Sequence, residues 1–251
     1  MFVACHKPFK TITHDACFQP IHVGAINSNI NIAGSIKDST GNHISAKNST
    51  YCELTGLYWA WKNYSDAEYL GLCHYRRYFA KNICSLRKDY GILGESDFLE
   101  ALKDCDIIMP TPVKKLGHLN HYYHDDAAYE KDRMYIEITQ AMKHVCPEYY
   151  QTAVKVLKDP YMSFGNIMIT DKDRFNAYCT WLFKVEDFLE KYIQEKLGGV
   201  EPREYGFISE WLLNIWVKHN KLKVKYYPVV QIRDESIVMR MMRIVKHIFR
   251  H

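Results

Sequence analysis

Two stretches of this chain put polar, reactive side chains directly after apolar runs, and a third pair lies within one. His6-Lys7 follows Phe2-Val3-Ala4-Cys5, and His74-Tyr75-Arg76-Arg77 follows Tyr69-Leu70-Gly71-Leu72-Cys73. Gly165-Asn166 sits inside the strand-like run 161–170. In open α/β sheets ligands bind beyond the carboxyl ends of the strands, so such positions are where chemistry is sought first. Two arginines and a histidine at a strand end can grip a phosphate or diphosphate, because a guanidinium offers a planar fork of donors. The same residues also fit a plainer role, with one arginine solvated and the other paired to an acid. Neighbours on a strand point to opposite faces, so both arginines need not meet one ligand.

A second group surrounds the loop Asp38-Ser39-Thr40-Gly41-Asn42-His43-Ile44-Ser45-Ala46-Lys47-Asn48. It leads into a helix start that can hold an anion or hydroxyl groups, or can simply be a capped loop. Gly24, at the end of a weaker strand signal over 21–25, belongs with Asp38 and Asn48 as a candidate ligand contact. Tyr58, Trp59, Trp61 and Tyr64 form an aromatic cluster. Aromatics can stack on sugars, but the helical spacing of Tyr58 and Trp61 favours the core. There is no dinucleotide fingerprint, phosphate loop, nucleophile elbow or kinase motif set.

The elements that must carry these residues alternate between strand and helix. Strands are expected over 2–6, 21–25, 69–74, 106–110 and 161–170, and an alternating one over 222–228. Helices are expected over 51–63, capped by Asn48 or Ser49 with Glu53 in the first turn, and over 97–103, capped by Ser96. Two more are expected from Asp171 or Asp173 to about residue 196 and over 205–220. Residues 118–159 read as a helical insertion broken at Pro147. The pattern predicts an α/β fold with a mostly parallel sheet in one domain, with the insertion covering one edge of a cleft.

Composition bounds the function. The 251 residues are 47% hydrophobic and 25% charged, with formal net charge +4, which fits a folded globular chain. Mean hydropathy is −0.32, and no apolar run approaches the roughly 20 residues that span a bilayer. The start Met1-Phe2-Val3-Ala4-Cys5-His6-Lys7 lacks the order of a signal peptide. The eight cysteines, at 5, 17, 52, 73, 84, 105, 146 and 179, show no C-x-x-C pair. They are expected to be free thiols in a reducing cytoplasm. The twelve histidines form no metal-ligand motif. Asp104-Cys105-Asp106 has D-x-D spacing but precedes its apolar run, at the wrong end for a metal site.

The charge excess sits at one end. Residues 237–251 hold Arg240, Arg243, Lys246 and Arg250 and no acid, and the rest of the chain balances at 29 basic and 29 acidic residues. Val238, Met241, Met242, Val245, Ile248 and Phe249 take the other face of a helix. This is a basic amphipathic segment suited to an anionic membrane surface, or to packing on the domain with a solvated basic face. A nucleic-acid partner would require a basic footprint on the body, which is missing.

The strings Gly41-Asn42-His43-Ile44-Ser45-Ala46-Lys47-Asn48, Glu53-Leu54-Thr55-Gly56-Leu57-Tyr58-Trp59-Ala60-Trp61-Lys62-Asn63 and His74-Tyr75-Arg76-Arg77-Tyr78-Phe79 resemble a bacterial family. That family was long catalogued as a domain of unknown function in capsular and exopolysaccharide gene clusters. Its members are regarded as glycosyltransferases, some of them galactofuranosyltransferases using a UDP-sugar. The resemblance implies a GT-A-like nucleotide-sugar-binding domain over 1–236, with 237–251 as a C-terminal appendage. It implies a donor site drawn from His6, Lys7, Gly24, Asp38, Asn48, His74, Arg76, Arg77 and Asn166, with Asn166 on a strand facing the donor sugar. An inverting transfer needs a carboxylate base. Glu210, at a helix start, is the first choice, ahead of Asp132, Asp125 and Asp126, and His124 is placed to orient a substrate. The missing D-x-D makes a divalent metal doubtful, and Arg76 and Arg77, supported by Lys7, become candidates for its electrostatic role. The implied partners are a UDP-sugar, a lipid-linked saccharide acceptor and the inner face of a bacterial membrane. A carbohydrate- or nucleotide-binding module without turnover is the alternative.

Overall fold

In a computed structural model of the chain, residues 1–10, 15–82, 90–115, 132–233 and 239 are described. The candidates His124, Asp125 and Asp126 lie outside them, as do the tail 237–251 apart from Met239, the first part of the expected insertion, and Cys84.

The central sheet is built from β1 (Phe2–Cys5), β2 (Gln19–His22), β3 (Ile36–Lys37), β4 (Tyr69–His74), β6 (Ile107–Pro110), β9 (Met168–Asp171) and β10 (Val224–Tyr227). Their spatial order is β10-β6-β9-β4-β1-β2-β3. Every strand in this row runs the same way except β9, which is antiparallel to both neighbours. The mostly parallel α/β sheet expected from the sequence is therefore present. β1, β4 and β6 are buried along nearly their whole length, as strands covered by helices on both faces must be.

Two departures come from turns. The run 161–170 is not one strand: β8 (Tyr161–Met162) pairs with β7 (Val113–Lys114), and a turn at Gly165-Asn166 precedes β9. The alternating run at 222–228 supplies β10 and then β11 (Val229–Gln231), which pairs with β5 (Arg77–Phe79) as an antiparallel extension of β4. The second strand begins and ends earlier than expected, at Gln19–His22.

The helices are α1 (Asn48–Tyr51), α2 (Leu54–Asn63), α3 (Glu95–Leu102), α4 (Arg133–Val145), α5 (Tyr150–Lys158), α6 (Lys172–Lys196) and α7 (Glu204–His219). The helix expected over 51–63 is split, because Cys52 takes a left-handed φ of 52° between α1 and α2. Asp171 caps α6 by accepting from the Arg174 amide at 2.9 Å, and Pro147 ends the α4 region as expected. α2, α4, α5, α6 and α7 pack on one face of the sheet, around Trp211, Phe175, Tyr178 and Leu182. The other face holds a smaller core of Tyr78, Phe79, Leu93 and Phe98 under α3. Among the described residues no helix is long and apolar enough to cross a membrane.

Candidate active site

A cleft of about 410 Å³ opens at the carboxyl ends of β1 and β4. Its lining is drawn chiefly from the end of β1, the α1–α2 segment, the β4–β5 reversal and the start of α7.

β1 releases His6 at its end. β4 ends at His74, and the chain folds back at once, with His74 paired to Arg77 at the start of β5. This reversal brings Arg76 and Arg77 into one lining, although strand alternation alone would separate them. Tyr75 continues the ladder through its amide to the Ala4 carbonyl at 3.0 Å and lies buried beneath. The Arg76 guanidinium stands 5.0 Å from the Tyr75 ring centroid, and the His6 ring meets that ring edge-on at 5.4 Å. Burial, helped by the charges of Lys7 and Arg76, holds His6 below its ordinary pKa. Both effects favour the neutral imidazole.

The opposite wall is the start of α7, which contributes Arg203, Gly206, Phe207 and Glu210. Arg203 sits at φ 66°, and its amide donates to Ser49 O at 2.9 Å. α7 approaches the α1–α2 link so closely that a Cβ at Gly206 would stand 3.1 Å from the Cys52 side chain. A side chain here would push the walls apart.

Outside the lining, bonded to His74 and Glu53, is the turn at Gly165-Asn166, with φ of 94° and 50°. Gly165 O accepts from His74 Nε2 at 2.6 Å. The Asn166 amide donates to Glu53 Oε1 at 2.8 Å and to Gly206 O at 3.0 Å. Glu53 Oε1 is also 3.6 Å from His74 Nε2. Two carboxylates, Glu53 and Glu210, thus line the cleft. Glu210 is pushed up to about 7, first by burial and then by the charge of Glu53. Arg77, a hydrogen bond from the Gly165 amide and Arg203 oppose the rise. Across from these acids, Arg76, Arg77 and Arg203 make no salt bridge among the described residues, and all are exposed. Unpaired guanidinium groups gathered at a helix start and a strand end form a surface for a multiply charged anion.

Of the residues singled out in the sequence, His6, Asn48, His74, Arg76, Arg77 and Glu210 come together in this lining. The others are elsewhere. Asp38 is fully buried and does not face the cleft. Its carboxylate accepts from the Gly24 and Ala25 amides at 2.8 and 3.0 Å and from the Ser45 hydroxyl, a purely internal brace. Gly24 provides the left-handed corner, φ 70°, that this brace needs, packed against the Asn48 side chain. Lys7 is exposed outside the lining. Asn166 is only 5% exposed and holds Glu53 and α7 together from beneath, where the sequence suggested a residue facing the donor sugar. Asp132, the candidate base, caps α4, accepting from the Tyr135 amide at 3.0 Å, and is not in this lining. The Asp104-Cys105-Asp106 motif is at the amino end of β6, where Asp106 is bound by Arg174 and the Lys223 amide.

Glu53, Arg203 and Phe207 were missed. Glu53 read as a carboxylate favouring a helix dipole. Arg203 carried a usable signal, because a cation immediately before a helix opposes the macrodipole and calls for another reason to be there.

The family model described as a domain of unknown function, DUF4422, matches residues 1–221. The chain belongs to that family. No curated protein matches the chain. Among solved structures this DUF4422 chain is similar to the apo structure of WbbM, a bifunctional glycosyltransferase. The two are 28% identical with a TM-score of 0.76 over 94% of this chain and 45% of WbbM. The DUF4422 chain thus spans less than half the length of that protein.

Proposed function

We propose that the chain is a glycosyltransferase that moves a sugar from a nucleoside-diphosphate donor, UDP in the first instance, to a saccharide acceptor. The observation that carries this reading is the meeting, across one cleft, of arginines that have no carboxylate partner among the described residues with a carboxyl near neutrality. The likeness to a bifunctional glycosyltransferase supports it. In this reading Arg76, Arg77 and Arg203 bind the diphosphate and offset the negative charge that grows on it as the glycosidic carbon–oxygen bond breaks. Glu210 takes the proton from the acceptor hydroxyl as that oxygen bonds to the sugar carbon. Burial, and after it the charge of Glu53, which Asn166 fixes, keeps Glu210 high enough to act as a base near neutrality. A binding module without turnover would have no need of a carboxyl tuned in this way.

The donor set does not suit a divalent ion. Among the described residues no three His, Cys, Asp or Glu side chains are grouped to hold one, and the cleft is lined by three arginines. Arginine neutralisation of the diphosphate is therefore part of the proposal. Galactofuranose as the sugar, a lipid-linked capsular or exopolysaccharide acceptor, and attachment of segment 237–251 to the inner face of a bacterial membrane complete it. The test is transfer or donor hydrolysis across a panel of nucleotide sugars, with and without EDTA. Turnover with one UDP-sugar, undiminished by EDTA, is expected. No turnover or binding with any donor would overturn the reading, and strict manganese dependence would overturn its arginine part. Co-sedimentation with anionic vesicles that is unchanged by deleting 237–251 would remove the membrane part.

A further inference from the structure

Behind the cleft wall lies a second polar cluster whose own residues are not in the lining. Arg133, the first residue of α4, reaches across to the start of α7. Its Nε donates to Glu204 Oε1 at 2.6 Å and to Glu137 Oε1 at 2.8 Å. Its Nη2 donates to Glu204 Oε2 at 3.1 Å and to Gly199 O at 2.7 Å. Glu204 and Glu137 are buried, with side chains only 8% and 1% exposed. The same guanidinium therefore grips the first residue of α7, the Gly198-Gly199 turn that leads to it, and its own helix.

Glu204 is the neighbour of Arg203. α7 begins with no side-chain cap, and Arg203 holds a left-handed φ of 66° that an arginine seldom adopts. Two things fix this start on either side: the Arg203 amide on Ser49 O, and Glu204, whose carboxylate accepts from the Glu201 amide at 2.7 Å while Arg133 binds it. The turn before it gives no rigidity of its own. Gly198 and Gly199 both have positive φ, with open space where a Cβ would stand. A bidentate guanidinium–carboxylate contact is the strong kind, and because Glu204 is buried, removing Arg133 leaves its charge stranded.

We infer that Arg133 is a positioning residue for the cleft: through Glu204 it sets where Arg203 presents its guanidinium to the anionic ligand. The inference rests on the donor reading above, because Arg203 is taken there to meet a diphosphate.

A double-mutant cycle tests it, with UDP as the probe in titration calorimetry on the full chain. Arg133→Met is expected to weaken UDP binding about tenfold in the wild-type background, and less than twofold when Arg203→Ala is already present. A general loosening of the fold would lower affinity equally in both backgrounds, so equal losses would overturn the inference, as would unchanged affinity in folded Arg133→Met. If Arg133→Met fails to fold, Glu204→Gln, which keeps the shape and one bond, carries the same cycle with the same criteria. Absence of UDP binding by the wild type would instead remove the donor reading, and this inference with it.

Discussion

Two sets of arginines stand apart among the described residues. Arg133 and Arg174 are saturated: the first by Glu204, Glu137 and two carbonyls, the second by Asp106 and Asp171. Arg76, Arg77 and Arg203 are gathered around one cleft and matched by no carboxylate within ion-pair distance among the described residues. Where a guanidinium serves the fold, acids have been placed around it. Where it lines the cleft, the nearby acids Glu53 and Glu210 are turned to other partners or held close to neutrality. The difference separates cations that build the protein from cations left for a ligand.

The sharpest way to break this comparison is through the acid that the unpaired group faces. Glu210→Gln should cut turnover about 10²- to 10⁴-fold, the usual worth of a positioned base, with little loss of UDP affinity. Because Glu210 titrates at about 7 and must be ionised to accept a proton, wild-type turnover should rise with pH through that value. The glutamine variant should lose this limb. A retained limb in Glu210→Gln would assign the base elsewhere.

The next effect contrasts the two groups directly. Arg77→Ala should weaken UDP binding about 10- to 100-fold, the cost of one or two charge-assisted hydrogen bonds, and leave the melting temperature nearly unchanged. Arg174→Ala should do the reverse. It should lower the melting temperature modestly, since its partners are partly exposed and such pairs contribute little, while UDP affinity holds. Equal effects of both variants on affinity would dissolve the distinction.

The same contrast explains what the sequence made legible. The apolar runs that became β1, β4 and β6 announce themselves, because strands buried on both faces must be apolar throughout. The strand-end rule then found His6, His74, Arg76 and Arg77. The reversal of β9 and the β5–β11 pairing were not legible, since direction and partner are settled by tertiary packing and not by local pattern. Asp132 and Asp38 misled for a related reason. A carboxylate that caps a helix or braces a turn has the same sequence appearance as one that does chemistry, and only its hydrogen-bond partners tell them apart. Glu53 went the other way: a residue placed by its helix start proved to be held by Asn166, 113 positions away.

The smallest effect concerns an acid belonging to neither group. Glu186 on α6 is fully buried, and among the described residues neither carboxyl oxygen has a hydrogen-bond partner. It faces Tyr51 of α1, Tyr205 of α7, Glu137 of α4, and Asp187 and Glu190 of its own helix. Burial, reinforced by these acids, keeps its pKa well above the ordinary value of 4.5. The unfolded chain can ionise this group above that value while the folded chain cannot, so its contribution to stability is whole below about pH 4.5 and is lost progressively as pH rises. Glu186→Met, close in volume and without charge, should therefore raise stability at neutral pH by about 1–2 kcal/mol. The gain should shrink as the pH is lowered toward 4.5, when the unfolded wild-type chain is protonated too. Thermal melts of both proteins from acid to neutral pH give the comparison. A constant difference across that range would mean that the gain comes from packing alone and that Glu186 is not held neutral by its surroundings.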